Sequence, residues 1–289
     1  MGNYLMISHE SCAPATPLAR AGRSLGGLGV LLTVGMLTSA SGAHAQTDYY
    51  NLDRGRPLRV EDALVIERHA IEWQLAPLRV SGGGGAGSRV ALEPELAWGV
   101  WVRTQVEVGM PLVRSRRAGA SSFGGAGIDL SILHALNAET VTVPALALGG
   151  QLLVPAGPFG PSRAIPTVSA LATRTFSAGR LHLNAAVTPG AYDAVDVGDD
   201  ASRWRVGVAA DHAFVFQSLL LGADLVARRP LTANGDMEWS ASTGMRYQVG
   251  PRVGIDLGVG RTLGARDEWF VTAGSAVSLA LLHRLGGIR

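Results

Sequence analysis

The sequence predicts an all-β protein: a transmembrane antiparallel up-and-down β-barrel of about twelve strands, with short turns at one end and longer loops at the other. Three observations predict it. Stretch after stretch alternates apolar and polar residues with the period of two that a strand imposes. Most stretches exceed the ~5–6 residues usual in soluble strands and match the ~9–11 that a tilted membrane-crossing strand needs. The connections between them alternate in length along the chain.

After a polar lead-in, "YYNLDRGRPLRVEDA", the segments run approximately over 66–80, 88–100, 102–113, 124–136, 140–154, 163–176, 179–190, 202–214, 217–229, 237–248, 251–261 and 268–282. No stretch has the 3.6-residue pattern of an amphipathic helix. Every second link is tight: "GVW", "NAE", "SAGR", "VFQS", "VGPR". The links between these are longer: "SGGGGAGS", "RSRRAGASSFGG", "PAGPFGPSR", "GAYDAVDVGDDAS", "RPLTANGD" and "LGARDE". Outer-membrane barrels have this arrangement, with periplasmic turns short and extracellular loops long, whereas a Greek-key sandwich mixes the two lengths.

The two faces of each segment differ in kind. In "PELAWGVWVRTQVEVGMPL", Leu96, Trp98, Val106, Val108 and Met110 share one face, and Glu95, Arg103, Gln105 and Glu107 the other. "RWRVGVAADHAF" sets Arg205, Gly207, Ala209 and Asp211 against Trp204, Val206 and Val208. "SLLLGADLVARR" puts Asp224 and Arg228 with Gly222, opposite Leu221 and Leu225, and "RVGIDLGVG" puts Arg252 and Asp256 with three glycines, opposite Ile255 and Leu257. A charged face relieved by glycine and alanine fits a confined polar lumen, and a uniformly apolar face fits lipid. The lumen is therefore expected to receive Glu72, Glu93, Glu95, Arg103, Glu107, Asp129, Arg205, Asp211, Asp224, Arg228, Glu238, Arg246, Arg252 and Asp256. Charges of mixed sign in a narrow barrel either pair across strands and fill it or line a solute path and set its selectivity.

Thr140–Ser162 carries no charge over a length that suits a membrane helix. Pro144, Gly149, Gly150, Pro155, Pro158 and Pro161 argue for a strand followed by a rigid loop, because proline costs about 3 kcal/mol inside a helix.

Residues 1–45 read as a removed signal peptide. Arg20 and Arg23 give a positive start, Leu25–Leu37 an apolar core, and Ala43-His44-Ala45 a cleavage site before Gln46. Residues 46–65 are expected as a periplasmic N-terminal lead-in, and 66–289 as the barrel. Cys12, the single cysteine, lies in the removed segment and lacks the L-x-x-C context of a lipid anchor, so the mature chain has no thiol chemistry. A formal charge of +2, with basic residues scattered and no lysine among them, gives no field to hold nucleic acid.

Several stretches resemble a bacterial outer-membrane β-barrel family named for the meta-cleavage pathway of phenol degradation. They are "NLDRGRPLRVEDA", "LEPELAWGVWVRTQVEVGMPL", "GGAGIDLSILHAL", "PALALGGQLLVPAG" and "TGMRYQVGPRVGIDLGVGRTL". The resemblance implies an outer-membrane barrel that passes small, often aromatic, solutes and has no catalytic residues. Two features depart from that pattern: Trp101 stands in a tight turn, and "LALLHRLGGIR" lacks a terminal aromatic residue.

No constellation for catalysis or for a cofactor stands out. "SGGGGAGSRV" has phosphate-loop glycine spacing but precedes a strand, and no Lys-Ser/Thr follows, so it reads as a surface loop. His69, His134, His182, His212 and His283 are isolated and make no metal motif, and no G-x-S-x-G elbow occurs. Asp193, Asp196, Asp199 and Asp200 do not follow a calcium-loop pattern and read as a solvated loop. The expected function is a passive outer-membrane channel for small solutes, with outer-membrane lipids and the barrel-assembly machinery as partners. Two alternatives stay open: a structural or surface-binding barrel with a plugged lumen, and an outer-membrane lipid-modifying enzyme with a Ser-His pair and no local motif.

Overall fold

The computed structural model describes residues 51–83, 87–190, 202–214, 216–231, 235–263 and 267–280. The expected signal peptide, the cleavage before Gln46, the glycine run at 84–86, the acidic loop over 191–201 and His283 lie outside them.

The described strands are β1 (Ala70–Gly83), β2 (Ser88–Trp101), β3 (Thr104–Gly109), β4 (Leu112–Arg117), β5 (Ala120–Gly125), β6 (Ile128–Asn137), β7 (Ala145–Val154), β8 (Ile165–Phe176), β9 (Gly179–Val187), β10 (Ser202–Ala213), β11 (Leu219–Pro230), β12 (Glu238–Gly250), β13 (Val253–Leu263) and β14 (Glu268–Ala280). Each pairs antiparallel with its neighbours, and β1 closes the sheet by pairing with both β2 and β14. β3 and β4 are one strand interrupted at Met110–Pro111, where proline has no N–H to give the ladder. β5 and β6 are likewise one strand, interrupted at Ala126–Gly127, so the barrel has twelve strands.

The tight turns lie at one end. Val102–Arg103 joins β2 to β3, Ser177–Ala178 joins β8 to β9, and Pro251–Arg252 joins β12 to β13. At the other end one expected loop is shorter than its sequence implied. "RSRRAGASSFGG" continues the ladder as β4 and β5 and turns only at Ala118–Gly119. Both turn residues have positive φ, 49° and 83°, the condition of the two-residue turn whose twist matches a hairpin. Over the uncharged Thr140–Ser162 stretch the chain forms β7 and then a loop, whose Phe159 N–H donates to the Gly125 carbonyl at 3.0 Å.

The barrel reverses the usual distribution of polarity. Outward-facing Trp98, Val108, Leu183, Val206, Val259 and Trp269 are each between 44% and 56% exposed. Inward-facing Glu72, Gln74, Asp224, Arg228, Arg246 and Asp256 are all below 10%. A water-soluble domain buries the first set and exposes the second.

The expected periplasmic lead-in is not outside the barrel. Over residues 51–66 it lies in the lumen and takes part in two of the three interior clusters. Leu52, Leu58 and Val60 pack on Ala209, Leu220 and Val226 of β10 and β11. Ala63 and Val65 pack on Leu133, Ala145, Ala147 and Leu171 of β6, β7 and β8. A third cluster, Ala91, Val113 and Ala126 with Phe159, closes the long-loop end of the same wall. The wall offers polar side chains and glycines with a few apolar patches, and the segment fills the lumen with apolar residues set on those patches and backbone donors set on the polar groups.

Candidate functional site

The site is built from the lead-in and the inward face of the strands. The segment closes on itself first: Asp62 N–H donates to the Leu52 carbonyl at 3.0 Å, and Leu52 N–H donates to Asp62 Oδ2 at 2.8 Å. Leu52–Asp62 is therefore a loop whose ends meet, pinned by one buried carboxylate.

An irregular segment buried in a barrel must find acceptors for its N–H groups, because no regular ladder supplies them. The wall provides them strand by strand. Ile66 N–H donates to Gln105 Oε1 of β3 at 2.8 Å, Ala63 N–H to Thr173 Oγ1 of β8 at 2.9 Å, and Glu61 N–H to Asn184 Oδ1 of β9 at 2.7 Å. Asp224 Oδ2 of β11 accepts both Arg59 N–H at 2.6 Å and Val60 N–H at 3.2 Å, while Ser242 Oγ holds its other oxygen.

The wall also makes room. A Cβ on Gly258 of β13 would lie 2.4 Å from the Pro57 carbonyl oxygen, and one on Gly207 of β10 would lie 2.7 Å from Val60 Cγ2. Gly222 and Gly244 face Leu58 and Pro57 in the same way. The glycines on the polar face thus form the bed on which Pro57–Val60 rests.

Two arginines of the loop carry it across the whole lumen. Arg54 reaches β6 and β7, donating to Gln151 Oε1 at 2.8 Å and to Asp129 Oδ2 at 3.3 Å. Arg56 reaches the opposite wall, with Nη1 3.2 Å from Asp256 of β13 and Nη2 3.4 Å from Glu72 of β1. Five strands lie between β7 and β13 whichever way the ring of twelve is followed, so these contacts lie across a diameter. Arg246 completes the second group, bonding Asp256 at 2.6 Å and Asp53 of the loop at 2.8 Å. Interior ion pairs add little net stability, but removing one partner leaves a buried charge at a cost of about 3–5 kcal/mol. Their effect is to fix where the loop sits.

Arg180 of β9 ties a further group together. Its Nη2 is 2.8 Å from Asp211 and its Nη1 3.6 Å from Asp62, so the carboxylate that closes the loop is also tied to the wall. His182, with no exposed surface, has Nδ1 3.0 Å from Thr173 Oγ1 and Nε2 3.1 Å from Asp211. Hydroxyl, imidazole and carboxylate stand in the order of a nucleophilic relay. The hydroxyl oxygen, however, receives Ala63 N–H, and the plug covers the group, so as built it anchors the plug.

The residues expected to line the lumen divide into two sets. Glu72, Asp129, Asp211, Asp224, Arg246 and Asp256 face inward and bond the plug or its anchors. Arg228 and Glu238 face each other across β11 and β12 at 3.0 Å. Glu107 accepts from Gln105 at 2.7 Å and Ser131 at 2.6 Å, while Glu93 and Glu95 share the inward side of β2 with Ala91 and Ala97. Arg205, with Arg54, Glu61 and Glu107, borders a polar cavity of about 30 Å³ between plug and wall. That is room for a water or two.

Arg103 and Arg252 do not line the lumen. Both sit in tight turns, where the two-residue alternation stops. Arg103 has φ 55° and is exposed, with Nη1 donating to the Leu136 carbonyl. The carbonyl of Arg252 accepts Ser278 N–H. The sequence reading missed Asp53, Arg54, Arg56 and Asp62, and the wall groups Thr173, Arg180, His182 and Asn184. Among the described residues no group of three or more His, Cys, Asp or Glu side chains is placed to hold a metal ion.

No family model matches the chain, and no curated protein matches it. Solved structures do. An outer membrane channel from Pseudomonas putida F1 superposes with a TM-score of 0.51 at 12% identity, covering 79% of this chain and all (100%) of that one. A KdgM porin gives 0.47 at 11%, covering 73% and 99%, and the outer membrane phospholipase A of Escherichia coli gives 0.42 at 10%, covering 78% and 94%. At such identities the first of these likenesses shows the fold: a closed antiparallel β-barrel.

Proposed function

We propose that this protein is a bacterial outer-membrane channel for small solutes whose lumen is closed by its own N-terminal segment. The observation that carries the proposal is the loop Leu52–Asp62, which spans the lumen from Asp129 to Asp256. An exposed apolar face around a polar interior supports the membrane location, because lipid replaces water as the outer solvent. The likeness to an outer membrane channel agrees with it. Lipids around the wall and the barrel-assembly machinery that inserts such chains are the partners this reading brings. Small aromatic compounds, phenols among them, are the solute class implied by the resemblance in "NLDRGRPLRVEDA" and the strands that follow it.

Twelve strands lie between the barrels of ~8 strands that side chains fill and the open channels of 16 or more. Such a wall encloses enough space for a narrow path only when the loop is absent. Passage then depends on withdrawal of the segment. Its attachments are hydrogen bonds of roughly 1 kcal/mol net each and buried ion pairs of small net worth, and withdrawal lets water into the lumen to solvate both partners of each pair.

The test is conductance in planar bilayers, comparing the mature chain with a variant lacking residues 51–66. The expected result is a closed or rarely open mature protein and steady single-channel currents from the deletion variant. A plugged structural barrel is the second reading, favoured by the same packed interior. It predicts that the deletion variant folds, as judged by heat-modifiable migration, and still conducts nothing.

A further inference from the structure

We propose that the outward face of the β4–β5 hairpin binds the phosphate groups of lipid headgroups in the leaflet around the long-loop end. This inference rests on the membrane reading above. Arg114, Arg116 and Arg117 follow one another closely on β4 and are all exposed. Val113 of the same strand is buried in the cluster that includes Ala91, so alternation turns Arg114 and Arg116 to the outside of the barrel.

The register locates them against the apolar belt. Arg114 lies opposite Val90 of β2 and Phe123 of β5, and Phe123 is 69% exposed. One step toward the short-turn end, the outward pair is Leu92 and Leu112. One step away from it, Arg116 lies opposite Ser88 and Ser121. Apolar side chains thus give way to guanidinium and hydroxyl groups within two residues along each strand. A barrel wall passes from acyl chains to headgroups with the same change.

The charges are uncompensated. Among the described residues no carboxylate pairs with Arg114 or Arg116, and the bond of Arg114 is from Nε to Ser121 Oγ at 3.3 Å. The contrast is Arg261, also outward-facing, whose guanidinium is met by Asp267 at 2.6 Å. Beside lipid such an arginine meets the phosphate ester that every phospholipid headgroup carries, whose oxygens fit its fork of donors. β5 pairs along its length with β4 alone, so the hairpin presents this face without another strand crowding it.

The experiment uses the mature chain in nanodiscs of phosphatidylcholine doped with phosphatidic acid, with lipid retained on the protein read by native mass spectrometry. The wild type is expected to retain phosphatidic acid over phosphatidylcholine by roughly tenfold or more, given the usual strength of a basic residue at an anionic surface. The double variant R114Q/R116Q should lose most of that preference, and R114K/R116K should keep most of it. Retention by the glutamine variant at the wild-type ratio overturns the proposal. So does stripping of the lipid by millimolar inorganic phosphate, which would make the hairpin a site for a free anion. A wild-type chain that inserts into neither lipid overturns the membrane reading, and with it this inference.

Discussion

At the scale of the residue, Asp224 shows how one side chain organises the interior. It is the single acceptor for two consecutive backbone N–H groups, Arg59 and Val60, which no ladder satisfies. Asp224→Ala leaves both donors buried and unmet, at about 1–3 kcal/mol each. The expected outcome is faster hydrogen exchange across residues 52–66 with the strand amides still protected; unchanged exchange in that segment would show that Asp224 does not hold it. On the outer face the logic reverses. Leu221 and Ile255 are 38% and 43% exposed and have nothing polar to gain from leaving lipid. Arginine at either position, or at Val106, should destabilise the barrel by ~2–4 kcal/mol near the bilayer midplane. Denaturation in lipid checks this, and a harmless substitution at all three would mean the faces have been assigned backwards.

At the scale of the element, the strands were legible because a period of two is written in every one of them. The polar face of β11, with Gly222, Asp224 and Arg228, and the apolar face, with Leu221 and Leu225, could be read off directly. Errors fell where the alternation stops. Arg103 and Arg252 kept the parity of their strands in sequence but occupy turns, and "RSRRAGASSFGG" had turn composition although only Ala118–Gly119 turns. The plug was illegible for a stronger reason: "NLDRGRPLRVED" has no period at all, and its order comes from acceptors far away in sequence. The one trace of it was the row of glycines on the polar face, visible beforehand but explained only once Pro57 and Val60 lay on them. This gives a prediction at the same scale. Gly258→Leu puts a side chain where the Pro57 carbonyl sits and against the rotatable Thr272 hydroxyl, so the loop should leave and Thr272 turn aside while the wall, antiparallel and closed, keeps its pairing. Channel activity should rise in G258L with little change in heat-modifiable migration. Wild-type closure in that variant would show that the loop re-seats elsewhere.

At the scale of the whole molecule, loop and wall are two charge systems that neutralise each other. Arg54 and Arg56 bring positive charge to Asp129, Glu72 and Asp256, while Asp53 and Asp62 bring negative charge to Arg246 and Arg180. Part of what the wall retains without the loop is itself paired. Arg228 faces Glu238, Arg246 faces Asp256, and Arg180 faces Asp211. Removing the loop also uncovers Glu72, Asp129 and Asp224, so the emptied lumen should show only a modest preference, for cations. Arg205 and Arg246 are the positions at which that balance can be tipped. Changing both to glutamate in the variant lacking residues 51–66 should move the reversal potential under a salt gradient toward the cation value. In the intact chain with its loop seated, Arg205→Glu should leave the current at background, because the cavity beside Arg205 is about 30 Å³. The pairing of the two outcomes is the test. Steady current through the intact variant would place an open path beside the plug, and no shift in the emptied one would remove Arg205 and Arg246 from the path altogether.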